Sequence, residues 1–197
     1  MAVIQERLPA HGLYTVAEAA YVAELDSKAI NNEFEQAILE SASAERLVSR
    51  PSLFYVVAVK PLRAQMSTEA RRMLHRGFLD AFNDGRPLVE FGYFQIAIPR
   101  IEEDVAPRLT LVEKLRDMIE IVPGVAGGEP VFTGTRIKPR LVAEMVRTGA
   151  PEAELCRDYG LSREQIELAT LFDALYPRRG RPPAARRNVR THVLPPR

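Results

Sequence analysis

Three S/T-x-x-E/Q runs punctuate the chain: Thr15 to Glu18, Thr110 to Glu113, and Ser162 to Gln165. In such a run the hydroxyl accepts from the backbone N–H three residues on, and the longer side chain reaches back to the first N–H. Two of the donors that every helix start leaves open are thereby satisfied. Each run announces a helix, and the glycines and prolines that follow keep the helices short. LYTVAEAA opens the first helix at Thr15. After a break around Leu25 and Asp26, SKAINNEFEQAILES predicts a second, with Ile30, Phe34, Ala37 and Ile38 on one side. Two short helices joined this tightly predict a helix-turn-helix.

LFYVVAVK, rich in β-branched and aromatic residues and set between Pro51 and Pro61, predicts a strand. STEARRMLHRGFLDAFNDG predicts a helix with Met73, Phe78 and Phe82 at apolar positions and Gly85 as its stop. LVEFGYFQIAI, ended by Pro99, predicts a second strand able to pair with the first as a wing. IEEDVAPR predicts a connector, and the Thr110–Glu113 box then opens TLVEKLRDMIEI as a helix. Within PVFTGTRI two very short strands turning at Thr133 and Gly134 are expected. PRLVAEMVRTG follows as a helix, with Leu141, Val142, Met145 and Val146 on one face and Pro139 in its first turn. PEAELCRDYG and SREQIELATLFDALY make a second candidate helix-turn-helix, the last helix burying Ile166, Ala169, Phe172 and Leu175. The expected fold class is α+β, mostly helical. Residues 1–100 form a winged helix-turn-helix-like DNA-binding unit, 101–121 a connector and helix, and 122–177 a small helical helix-turn-helix domain. Residues 178–197 form an extended basic tail.

That tail decides what the net charge of +1 means. RRGRPPAARRNVRTHVLPPR holds seven arginines and no acid, which leaves 20 basic against 26 acidic residues over 1–177. A mildly acidic body ends in a cationic arm that holds four prolines and few large apolar residues, so the arm is expected to stay disordered until it meets a partner. No apolar run is long enough to span a bilayer, and MAVIQERLPAHG lacks the pattern of a secretory signal. The single cysteine, Cys156, forbids an internal disulfide and fits a reducing cytoplasm. His11, His75 and His192 show no metal-ligand spacing. Glu102, Glu103 and Asp104 decorate the connector without a nucleophile–base pair beside them. A cytoplasmic protein that is not an enzyme is expected, with no catalytic residue, metal or cofactor.

The stretch GGEPVFTGTRI, Gly127 to Ile137, tests for a phosphate loop. A Walker loop needs Lys-Ser or Lys-Thr directly after its last glycine, whereas Gly134 is followed by Thr135, Arg136 and Ile137. The glycines are therefore expected to permit positive φ in a tight turn that staples Val131, Phe132 and Ile137 to the helices behind. Together with PEAELCRDYGLSREQIELATLFDALY, this stretch resembles the small antitoxin-like helix-turn-helix domain of bacterial type II toxin–antitoxin loci. That family was long filed as a domain of unknown function, and the resemblance covers about Val122 to Tyr176. The N-terminal half resembles the DNA-binding half of longer VapB-type antitoxins. The resemblance implies an antitoxin that binds its own operator, represses its operon and sequesters a PIN-like nuclease.

The residues give each half its candidates. For double-stranded operator DNA, Lys28, Asn31, Asn32 and Gln36 lie within two turns, and Asn and Gln are the side chains that read adenine. Arg46, Arg50, Lys60 and Arg63 bracket the expected wing strand. Glu33, Glu35 and Glu40 on the same stretch would repel phosphate, so a solvated polar face is the competing interpretation. Arg163 and Gln165 are candidates in the second pair, although Glu164, Glu167 and Asp173 favour packing there and a homodimer through that domain. For the toxin, arginines fork onto the clustered carboxylates of a PIN-like active site. Arg181, Arg186, Arg187 and Arg190 alternate with the apolar anchors Val189, Val193 and Leu194. RRGRPP also holds the Arg-Gly-Arg-Pro core of an AT-hook for the minor groove. A DNA-binding regulator without a toxin partner is the alternative, and a solvated linker is the plainest account of the tail.

Overall fold

The computed structural model describes residues 12–41 and 45–177. They form a mostly helical α+β fold with three small antiparallel sheets. Strand β1 (Leu13–Thr15) leads into helix α1 (Val16–Ala23), and the Thr15–Glu18 capping box forms as the sequence predicts. Helix α2 (Ser27–Glu35) follows after three residues, capped by Asp26, whose carboxylate accepts from the Ala29 N–H at 2.6 Å. Glu24 holds the turn between them in the left-handed conformation at φ 52°. This costs an L-residue about 1–2 kcal/mol, and contacts of the Glu24 carboxylate to Lys60 at 3.2 Å and Arg108 at 3.3 Å help to offset it.

The predicted wing strand is a helix. Strand β2 (Leu47–Ser49) pairs with β1, and α3 (Arg50–Val59) begins directly after it, with Ser49 as N-cap and Pro51 in the first turn. Ser52, Leu53, Phe54, Tyr55, Val56 and Val59 are all buried, so α3 is enclosed by α1, α4 (Thr68–Asn83) and α5 (Ile98–Asp117). A helix buried on most sides shows no amphipathic period, and its apolar run then reads as a strand. In α4, Leu74 and Phe78 enter the core, while Met73, expected there, is 59% exposed.

The second predicted strand is a complete hairpin, β3 (Leu88–Phe91) and β4 (Phe94–Ala97), turned at Gly92 and Tyr93. A Cβ at Gly77 of α4 would sit 3.1 Å from Val89 Cγ1, so the missing side chain is what lets the hairpin lie against the helix. The expected connector is helical too: α5 (Ile98–Asp117) runs straight through Pro107, and the Thr110–Glu113 box stays unused. Its buried residues Ile98, Ile101, Val105, Leu109, Val112 and Leu115 keep helical spacing across the proline. An interior proline costs about 3 kcal/mol, but Pro107 and Glu103, whose carbonyl loses its donor, both face water.

The end of the predicted TLVEKLRDMIEI helix instead forms β5 (Ile119–Glu120), which pairs with β6 (Val131–Phe132). The two strands expected within PVFTGTRI thus reduce to one. Its turn is fastened by Glu120, whose carboxylate accepts from the Gly134 N–H at 2.8 Å. Helices α6 (Pro139–Arg147), α7 (Glu152–Tyr159) and α8 (Arg163–Leu175) follow, with the Ser162–Gln165 box formed. Gly160 takes the left-handed position between α7 and α8 at φ 65° without the penalty that Glu24 bears. The predicted core face of α8, Ile166, Ala169, Phe172 and Leu175, is buried, whereas Leu141 of α6 is 46% exposed.

The two helix pairs share one continuous hydrophobic core. At their junction the Glu18 carboxylate is fully buried. It accepts from Arg116 Nε at 2.8 Å and Nη2 at 2.7 Å, and from the Tyr176 hydroxyl. Arg116 also donates to the Leu13 carbonyl at 2.8 Å and lies over the Tyr14 ring at 5.3 Å.

A second buried polar group makes stability depend on pH. His75 of α4 lies with its Nε2 2.9 Å from the Ser52 hydroxyl, and burial pushes its imidazole below the ordinary value of 6.5 against opposing pulls from the Ile38 carbonyl, Glu40 and Glu33. The unfolded chain therefore takes up this proton at a higher pH than the folded one. The contribution is fully present above about pH 6.5 and is lost as pH falls through the depressed folded value. The urea midpoint is expected to drop between pH 7 and pH 5. His75→Gln should flatten that part of the profile, and an unchanged slope would show that His75 does not cause it.

Candidate nucleic-acid interface

Helix α2 has two faces of different chemistry. Ala29, Ile30 and Glu33 point inward. Lys28, Asn31, Asn32 and Glu35, at spacings of three and four, share the other face. Lys28 and Glu35 are exposed, and Asn31 and Asn32 are half-buried. Four of the side chains that the sequence suggests for this helix must therefore be separated by what already holds them.

Arg46, from the segment leading to β2, lies across this face. Its Nη1 donates to Asn31 Oδ1 at 2.7 Å and stands 3.7 Å from Glu35, and its guanidinium lies 5.7 Å from the Phe34 ring centre. Asn31 thus spends one lone pair of its carbonyl within the protein. Among the described residues no hydrogen bond or ion pair engages the side chain of Lys28 or Asn32. The carboxamide of Asn32 keeps both its acceptor and its donors, as bidentate contact with an adenine edge requires. Gln36, at the end of the helix, turns elsewhere: its Oε1 accepts from Arg71 of α4.

Glu33 does not face phosphate. It is 1% exposed, and its Oε1 accepts from Arg63 Nε at 2.7 Å and from Arg71 Nη1 at 2.6 Å. Its Oε2 accepts from the Tyr55 hydroxyl at 2.9 Å. Burial raises the Tyr55 phenol well above its ordinary range, and the Glu33 charge and hydrogen bond add to this. Arg72 donates to the carbonyls of Gln36 and Ala37 at 2.6 and 3.2 Å, which closes the C-terminal end of α2 with a cation. The carboxylate counted against DNA contact in the sequence is therefore an internal anchor that orients the helix.

The remaining sequence candidates are dispersed. Arg50 caps no groove: it pairs with Glu102 at 2.5 Å and lies 5.4 Å from the Phe54 ring centre. Lys60 pairs with Glu24, and this hydrogen bond together with Arg108 holds the Glu24 carboxyl below its usual range. Arg163 donates to both Glu152 oxygens, at 2.7 and 3.2 Å, and so ties α7 to α8. Gln165 is consumed by the capping box. Arg140 of α6 stands 3.5 Å from Asp173 and 5.1 Å from the Phe172 ring centre, an internal tie between α6 and α8. The candidate toxin contacts Arg181, Arg186, Arg187, Val189, Arg190, Val193 and Leu194 lie outside the described residues.

Arg46 and Arg71 are the side chains whose roles sequence spacing could not reveal. Both come from elements far along the chain and reach α2 only through the packing. No helix among the described residues is long and apolar enough to cross a membrane.

Comparison with known proteins finds a family match for one segment of the chain. Residues 119–172 match a family described as "Protein of unknown function (DUF433)". This segment runs from β5 to the last turns of α8. The chain is also similar to an uncharacterized protein of Mycobacterium tuberculosis, Rv2308, at 30% identity over 151 residues, which covers 71% of this chain and 62% of that protein. The chain therefore spans less than two thirds of the length of that relative. No solved structure matches.

Proposed function

We propose that the protein is an antitoxin of the VapB type: it binds operator DNA through its N-terminal helix pair, represses its own operon as a homodimer, and neutralises a PIN-like nuclease with its arginine tail. The observation that carries this reading is the outer face of α2. In a tight helix pair whose second member is clamped from behind by Glu33, exposed Lys28 and half-buried Asn32 stand unengaged on one outward stripe. A helix presented this way can lie in a major groove, where Asn32 would read a base and Lys28 and Arg46 would meet phosphates. The second helix pair spends Arg163 and Gln165 internally, which supports a packing role there. The tail half of the proposal rests on seven arginines without an acid, and on the resemblance of the stretch from about Val122 to Tyr176 to the antitoxin-like domain.

Binding to a duplex from upstream of the gene tests the DNA half. Asn32→Ala is expected to cost about 1–3 kcal/mol and to relax preference at one base pair. Lys28→Ala should weaken binding across all sequences and reduce the salt slope by about one. If both variants bind the duplex as the parent does, at every salt concentration, α2 is not the reading element.

A further inference from the structure

Beside the C-terminal end of α2 lies an open cleft of about 350 Å³ lined by Leu25, Gln36, Lys60, Arg63, Ala64 and Arg71. Its polar lining consists of three cations and one carboxamide, and the donors there outnumber the acceptors. Arg63 uses Nε on Glu33 and Nη2 on the Ala29 carbonyl, at 2.7 and 2.8 Å. Arg71, 7% exposed, uses Nη1 on Glu33 and Nη2 on Gln36, and its Nε has no partner. A guanidinium has only donors, so the Gln36 oxygen must be the atom that faces Arg71. The Gln36 amide nitrogen is then left with two hydrogens and no acceptor among the described residues.

The charges are unbalanced in the same direction. One buried carboxylate, Glu33, serves two guanidiniums, which leaves a net positive charge fixed in a partly dry site. Lys60 also lines the cleft, and its partner Glu24 is 60% exposed and shared with Arg108, so an incoming anion competes only with a solvated carboxylate. A group of convergent donors with surplus positive charge is satisfied by an oxyanion, whose several lone pairs match guanidinium and amide hydrogens together.

We propose that this cleft binds a phosphate-type oxyanion, held by Lys60, Arg63 and the Gln36 amide with Arg71 behind them. The oxyanion is either a phosphodiester of duplex DNA docked on α2 or a free phosphate group. Only the first source rests on the DNA-binding proposal.

Substituting Arg63 or Arg71 would strand Glu33 and endanger folding. Gln36→Glu instead keeps an acceptor for Arg71 while it removes the amide donor and adds a repelling charge. The full chain is titrated with inorganic phosphate at constant ionic strength, and binding is read calorimetrically. Saturable binding that chloride cannot replace is expected, about tenfold or more weaker in Gln36→Glu, weakened several-fold in Lys60→Gln, and unchanged in Arg100→Gln on α5. Circular dichroism of Gln36→Glu confirms that the fold is retained. Absence of saturable phosphate binding in the parent chain overturns the proposal, as does equal weakening by Arg100→Gln. A labelled duplex separates the sources. If phosphate displaces it beyond the effect of ionic strength and Gln36→Glu weakens both ligands, the cleft takes a backbone phosphodiester. If Gln36→Glu weakens phosphate alone, the cleft takes free phosphate. The Asn32→Ala result on duplex binding bears on the reading helix and leaves the phosphate titration untouched, so the two proposals fail separately.

Discussion

Replacing Glu18 by glutamine is expected to destabilise the protein by about 3–5 kcal/mol, the usual consequence of removing one partner from a buried ion pair. Glutamine also serves in a capping box, so the start of α1 survives and the change isolates the charge. What it strands is Arg116, whose side chain is 9% exposed beside a carboxylate exposed not at all. The Tyr176 hydroxyl loses its charged acceptor as well. In the parent, burial raises the Tyr176 phenol far above its ordinary range, and the Glu18 charge adds to this. For a chain of this size such a loss lowers the melting temperature by roughly 10 °C. Glu164→Gln, which breaks the half-exposed pair with Lys114, is the comparison and should hardly move it. Equal melting temperatures for the two variants would mean that the Glu18 cluster does not hold the junction. The cluster joins α1, the end of α5 and the residue after α8 across 98 and 158 positions of sequence. Its loss is therefore expected to disturb the presentation of α2 and weaken duplex binding in parallel.

Removing residues 178–197 is expected to abolish neutralisation of a partner nuclease while leaving the fold intact. The core of the described residues is built by side chains within residues 12–177, all of which the truncated chain keeps. Arginine anchors at interfaces contribute about 2 kcal/mol each where they are fully engaged. Loss of only two weakens association about a thousandfold. The assay is RNA cleavage by the copurified nuclease with parent and truncated chain. Unaltered neutralisation together with weakened duplex binding would remove the toxin-binding role and favour a plain DNA-binding regulator with a minor-groove tail. If the melting temperature falls sharply on truncation, the tail has a structural role that the proposal does not include.

The parts legible in the sequence are those governed by neighbours three or four residues apart. The boxes at Thr15 and Ser162, the Asp26 and Gly160 boundaries, and the core face of α8 depend on local donors and helical spacing, and the structure reproduces them. The same local rules misread α3 and the first half of α5. In α3 burial on most sides erases the period that marks a helix. In α5 six buried apolar residues outweigh one interior proline. The candidate site divides along the same line. That α2 would exist, with Lys28 and two asparagines within two turns, followed from the sequence alone. Which of its polar residues stay available did not, because the deciding partners sit far away in sequence. Arg46 comes to Asn31 from 15 residues on, Arg71 to Glu33 from 38, and Arg116 to Glu18 from 98. A charged side chain in sequence is only a reservoir of donors or acceptors. Packing sets whether water, a buried counter-ion or a ligand completes it, since the cost of leaving it incomplete arises only once it is enclosed.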